Sequence, residues 1–161
     1  MTFAYGFHDY SFRTFVFWSM IEKGLLMSSR HIDNCKKCIE ACNKYIHASE
    51  KCASACKLDG GNLTDACNES IQSSKDCVEE TKECIVQCKE HLKVCHDLLC
   101  IAACHECIKE CEALIKICEE SVEQCDTNNQ SCSSASQSSI AAAKKCLDAC
   151  FASIKSACHN N

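Results

Sequence analysis

Cysteine recurs at steps of three, four and seven along a chain that contains no proline, and that spacing constrains the fold more than any other feature. Residues so spaced share one face of an α-helix. In the run CKKCIEAC, Cys35, Cys38 and Cys42 lie on one face, and Cys52 and Cys56 rejoin it. Written as heptads, positions 35, 42, 49 and 56 read Cys, Cys, Ser, Cys, and 38, 45 and 52 read Cys, Tyr, Cys. This is the two-row pattern of a bundle seam. A second stretch repeats it, with Cys67, Ser74, Thr81, Cys88 and Cys95 in one row and Ser70, Cys77, Cys84 and His91 in the other. In the third, Cys104, Cys111, Cys118 and Cys125 are consecutive heptad positions, accompanied by Cys100, Cys107, Leu114 and Ser121. The last stretch is sparser: Cys132, Ser139, Cys146 and Ser153 form a row, Cys150 follows Cys146 by four, and Cys158 falls about 100° off the neighbouring row.

Between the second and third stretches the phase slips. The row ending at Cys95 continues to 98 and 102, whereas cysteine appears at 100 and 104. One straight helix would therefore aim the two sets at opposite sides. A break between His96 and Leu98, with Asp97 as N-cap, keeps both facing inward. The other joints are signalled by Gly60 and Gly61 before an Asn62 cap with Asp65 three residues on, and by Thr127, Asn128 and Asn129. Four helices of similar length, about 30 residues or 45 Å each, are expected. Short connections make neighbours antiparallel, so the expected fold is all-α, an up-down antiparallel four-helix bundle with a cysteine-lined core.

Composition sharpens the picture. From Ser28 to Asn161 only 23 residues are Leu, Ile, Val, Phe or Met, a thin supply of hydrocarbon for a core. Free cysteine buries readily as a small apolar residue, so the thiols are expected to fill the interior when empty and to bind metal there when full. Residues 28–161 read as one cysteine-rich domain. The formal charge of −5 gives no reason to expect a nucleic-acid partner. The first 26 residues differ in kind, holding five of six Phe, the sole Trp and two of three Tyr, with no cysteine. Residues 1–27 therefore read as an N-terminal extension. Its apolar run from Phe15 to Met20 is too short to span a bilayer and has no cleavage site or twin arginines. Translation starting at Met27 is the simplest explanation, and a short packing or membrane-surface helix is the alternative.

Twenty cysteines could bridge or bind. Disulfide scaffolds are usually short, secreted and loop-rich, and cysteines seven apart on one helix cannot reach each other; cross-helix bridges stay open. Structural zinc sites use compact ligand pairs, whereas continuous stripes mark off no sets of four. The spacing of Cys100, Cys104 and Cys107 (CIAACHEC) matches that of radical SAM iron–sulfur enzymes, but any cysteine-striped helix generates it. No histidine follows a Cys-x-x-Cys pair for haem, and no Glu-x-x-His pair serves a di-iron centre. Soft thiolates select Cu(I). About one Cu⁺ per thiolate leaves a dry interior near neutrality, whereas Zn²⁺ at that ratio leaves a surplus charge per ion.

Through the runs CKKCIEAC, CIVQC at 84–88, CIAACHEC and CLDAC at 146–150, residues 30–158 resemble the bacterial four-helix-bundle copper storage proteins. The resemblance implies Cu(I) bound along the bundle axis, tetrameric assembly as in several members, and a cytosolic location where no export signal is present. This chain is longer, has fewer Cys-x-x-Cys pairs, and has no methionine in the bundle, where some relatives use methionine at the mouth.

In an up-down bundle His31, His91, His96, His105 and His159 share one end, beside Cys35, Cys95 and Cys100, and His47 lies in mid-helix. His91, on a cysteine row, and His31 are the candidates for a port through which copper passes inward. The expectation is a cytoplasmic, non-enzymatic store of multiple Cu(I) ions held by all twenty cysteines. Its partners would be copper ions and a copper chaperone or chelator, with no nucleic acid and no membrane, in a homotetramer. A disulfide-stabilised structural bundle and a zinc- or cadmium-sequestering protein are the alternatives.

Overall fold

A computed structural model describes residues 8–57, 63–125 and 129–158, with the side chains of 22, 24–57, 64–123 and 132–158. Four helices follow in order: α1 (His8–Ala55), α2 (Leu63–Leu92), α3 (Leu98–Cys125) and α4 (Asn129–Cys158). The all-α four-helix bundle expected from the heptads is what forms. α1 packs on α2 and α4, and α3 packs on the same two, while the diagonal pairs α1–α3 and α2–α4 meet only through side chains in the core, as in His31–Cys104 and Cys67–Cys132.

Side-chain partners fix the direction of each neighbour. Cys35 meets Cys84, Cys42 meets Cys77, Ser49 meets Ser70 and Cys52 meets Cys67, so each step along α1 is matched by an equal step back along α2. His31 with Ser153 and Cys52 with Cys132 set α4 antiparallel to α1. Cys107 with Cys150 and Ser121 with Ser139 do the same for α3 and α4. On the surface, Lys82–Glu119 and Lys89–Glu112 span α2 and α3, and Lys51–Glu69 spans α1 and α2. These pairs are exposed, worth about 0.2–1 kcal/mol each, so register is set inside the bundle.

The break between α2 and α3 lies where the phase slip places it. α2 ends at Leu92, and the Asp97 carboxylate accepts a 2.7 Å hydrogen bond from the Cys100 amide, satisfying one of the unpaired donors of the first turn. Gly60, Gly61, Asn62, Thr127 and Asn128 lie outside the described residues, and Asn129 is the first residue of α4 rather than part of the joint.

The helices are not of similar length. α2, α3 and α4 have 30, 28 and 30 residues, but α1 has 48, because residues 8–27 continue into the bundle helix without a break. Ser28 is the first buried position described on α1; Leu25 and Leu26 are half exposed, and no atom lies within 4 Å of where a Gly24 Cβ would sit. Among the described residues no helix is long and apolar enough to cross a membrane.

The core is built of sulfur and methyl groups. Fifteen of the nineteen described cysteines are buried, alongside alanines such as Ala48, Ala135, Ala142 and Ala143, and Tyr45 and Leu114 are the largest fully buried side chains described. Both heptad rows of every helix face inward. On α4 the second row is Ser136, Ala143, Cys150 and Ala157, small side chains that let the helices approach closely.

Candidate metal centre

The thiols form a column that begins at the end of the bundle where α2 gives way to α3. There the rings of His31 and His91 stack, 4.8 Å apart and 6° from parallel. His91 Nε2 lies 3.2 Å from Cys100 Sγ, and its Nδ1 is buried with no hydrogen-bond partner among the described residues. His31 is wholly buried, with Nε2 2.9 Å from Ser153 Oγ and 3.8 Å from Cys104 Sγ, and Nδ1 3.6 Å from Cys88 Sγ. Two groups of ligands result, His91–Cys100–Cys104 and His31–Cys35–Cys88, each with donor atoms within 4.8 Å of one another.

One turn deeper, Cys35, Cys84, Cys107 and Cys150 contribute one sulfur from each helix, with contacts of 3.7, 4.0 and 3.6 Å from Cys35 to Cys84 to Cys107 to Cys150. Cys150 also belongs to the next group, with Cys38, Cys111 and Cys146. Cys42 and Cys77, 3.9 Å apart, continue the column, and Thr81 lies beside Cys38 and Cys77. Cys118 is buried in the same core cluster.

Two expectations need correction here. The sulfurs are not one uninterrupted stripe, because Tyr45, Ser49, Ser70, Ser74, Ser121, Ser136 and Ser139 form a buried belt across the bundle. They also fall into sets of four, and beyond the belt Cys52, Cys56, Cys67 and Cys132 make a set of their own. Stripes on single helices become quartets once the antiparallel register brings them level.

Other residues stand apart. Cys95 is half-buried, its thiol 3.8 Å from the Asp97 carbonyl. Cys158 is exposed and joins no group: Ala157 takes the inward position in that turn, and the next residue lies 100° farther round. The side chain of Cys125 and all of His159 lie outside the described residues. His47, His96 and His105 are exposed, so among the described residues His31 and His91 are the buried histidines of that end. His31 lies inside the column, one turn before Cys35 on the same face, a position that the row itself marks.

Sulfur–sulfur hydrogen bonding is the leading influence on the deep thiols. In Cys42–Cys77, Cys107–Cys150 and Cys111–Cys146 one member is pushed toward the thiolate and the other toward the thiol. Cys77 is drawn down to about 5 by Cys118 and then Cys42, against burial. Cys104 is drawn down to about 4 by Cys88, against burial, with His31 and Ser153 adding to the effect. Burial works to lower His31, yet Cys104, Cys84 and Cys107 outweigh it and hold the imidazolium above its usual range. His91 is lowered, by burial and then by the charge of His31. Protonation is thus favoured on the inner ring relative to the outer one, which suits the outer ring to act as a ligand.

The nineteen described cysteines are free thiols, and their shortest sulfur contact is 3.2 Å, well beyond a disulfide bond of about 2.05 Å. The buried clusters have the ligand types and spacing to hold metal ions. Comparison with known protein families, with curated proteins and with solved structures gives no match.

Proposed function

We propose that this chain is a non-enzymatic copper store, holding many Cu(I) ions on the buried thiols. The observation that carries the reading is the column between Cys35 and Cys77, in which sulfurs from all four helices each have a sulfur neighbour 3.4–4.0 Å away and Cys150 serves two groups. Shared sulfurs favour a soft ion of low coordination number that tolerates bridging thiolates. Charge supports the same ion. Each Cu⁺ that displaces one thiol proton leaves the dry interior neutral, whereas a divalent ion at that ratio builds up charge where it is costly. The resemblance to bacterial copper storage proteins points the same way, and it supports a cytosolic location and tetrameric assembly as parts of the proposal.

Copper arriving from a chaperone or small chelator would meet His91, Cys100 and Cys104 first. Burial favours the neutral form of the His91 ring, and Cys88 draws the Cys104 thiol toward the thiolate, so both lean toward the form that binds metal. From there the ion passes to His31, Cys35 and Cys88 and then down the column, releasing protons as thiols become thiolates.

The test is an anaerobic titration of the reduced protein with Cu(I) and with Zn²⁺ in competition with chelators of known affinity. The proposal expects Cu(I) uptake on the order of one ion per column cysteine, held against chelator, with Zn²⁺ limited to far fewer sites. Copper uptake of only one or two equivalents would remove it.

A further inference from the structure

One group of thiols cannot belong to the column. Cys52 comes from the last turn of α1 and Cys56 from the residue just after it, Cys67 from the second turn of α2 and Cys132 from the first turn of α4. No cysteine occurs between 42 and 52, 67 and 77, or 132 and 146. Ten residues of helix put about 15 Å between this group and the column, and the intervening layers hold Tyr45 and the Ser49–Ser70 and Ser121–Ser139 hydroxyl pairs. A sulfur shared across that belt is out of reach. Among the described residues, none of the four sulfurs belongs to a second group of ligands.

We propose that Cys52, Cys56, Cys67 and Cys132 form a separate tetrathiolate site for a single divalent cation of the zinc class, a clasp that ties α1, α2 and α4 at the loop end. The four described sulfurs, all within 4.8 Å of one another, suit an ion that closes its shell with four. With Zn–S near 2.3 Å, a tetrahedron has sulfur–sulfur edges of about 3.8 Å. The observed separations are 3.2 Å for Cys52–Cys67, 3.4 Å for Cys52–Cys132 and 3.7 Å for Cys67–Cys132, so these three move apart by about 0.6 Å or less to close round the ion, with the Cys56 sulfur within 4.8 Å of each. Charge distinguishes this site from the column. Four thiolates with one divalent ion carry a net charge of about −2, costly in a sealed interior. Here Cys56 and Cys67 are half-buried and in reach of water, and the positive ends of the α2 and α4 helix dipoles lie beside the site.

The test uses anaerobic, metal-free full-length protein titrated with Co²⁺ as a coloured substitute for Zn²⁺. One equivalent is expected to give the visible bands of tetrahedral cobalt thiolate, and one equivalent of Zn²⁺ to bleach them. Cys67→Ser and Cys56→Ser, at half-buried positions where folding is checked by circular dichroism, should weaken Co²⁺ binding at least tenfold. Cys35→Ser and Cys84→Ser should leave it unchanged. Bands that need several equivalents, that fade equally in the column variants, or that persist in Cys67→Ser would overturn the proposal. So would displacement of the Zn²⁺ by the first equivalent of Cu(I). The copper reading is judged separately: a wild-type protein with the cobalt site but no multiple Cu(I) uptake refutes storage alone.

Discussion

Tyr45 shows how a single side chain couples the core to solvent pH. Its phenol is raised from 10 to about 12, by burial first and then by the charge of Cys118. A group whose pKa is raised on folding contributes stability that is complete below its unfolded pKa and is lost as pH climbs through the folded value. The metal-free protein should therefore lose about 2–3 kcal/mol through this residue between pH 10 and 12, and Tyr45→Phe should lack that component in denaturant titrations. At the other end of the column, replacing His31 and His91 by alanine should slow copper uptake and removal in stopped-flow chelator exchange without changing capacity. The inward residues were legible because the heptads name them: Cys35, Cys84, Cys107, Cys111 and Cys146 are all wholly buried. Cys158 falls outside the groups because the helical period, which sets it about 100° off the neighbouring row, gives that turn's inward place to Ala157. The stacking of His31 on His91 was beyond sequence reasoning, since it depends on two helices meeting at one level.

The junction after α2 is the element on which the bundle's inward geometry turns. Without the break, the cysteines of α3 would face away from those of α2, and the Asp97 cap fixes where the new helix starts. Asp97→Ala should cost about 1 kcal/mol, seen as a lower thermal midpoint of the metal-free protein. The phase slip made this joint legible, since only a change of direction reconciles 95 with 100. The length of α1 was less so. Its aromatic start shares no pattern with the cysteine rows, yet nothing between Gly24 and Ser28 stops a helix already under way, and one extra glycine is a penalty of only about 1 kcal/mol. The hydroxyl belt escaped notice for a related reason. Each serine looks like an isolated replacement of cysteine in its own row, and the register of four helices is what gathers Ser49, Ser70, Ser121 and Ser139 into a partition.

Among the described residues, the core has few large apolar side chains, Tyr45 and Leu114 being the only such ones fully buried, so its stability should follow its cargo. Ions that bind only the folded chain raise its unfolding free energy with the logarithm of their concentration over Kd. Anaerobic Cu(I) loading should raise the melting temperature progressively, by several degrees or more, and a chelator that strips the copper should reverse the rise. A melting curve unmoved by copper would mean that the column is not where the ions go. Acid should strip it as well, because protons compete for each sulfur. The outward-facing Cys158 offers a practical handle on all of this. Brief, substoichiometric maleimide treatment should tag it ahead of the sealed thiols, planting a dye next to Ala157, which packs with Cys100 and Cys104, where quenching would register each arriving ion in real time.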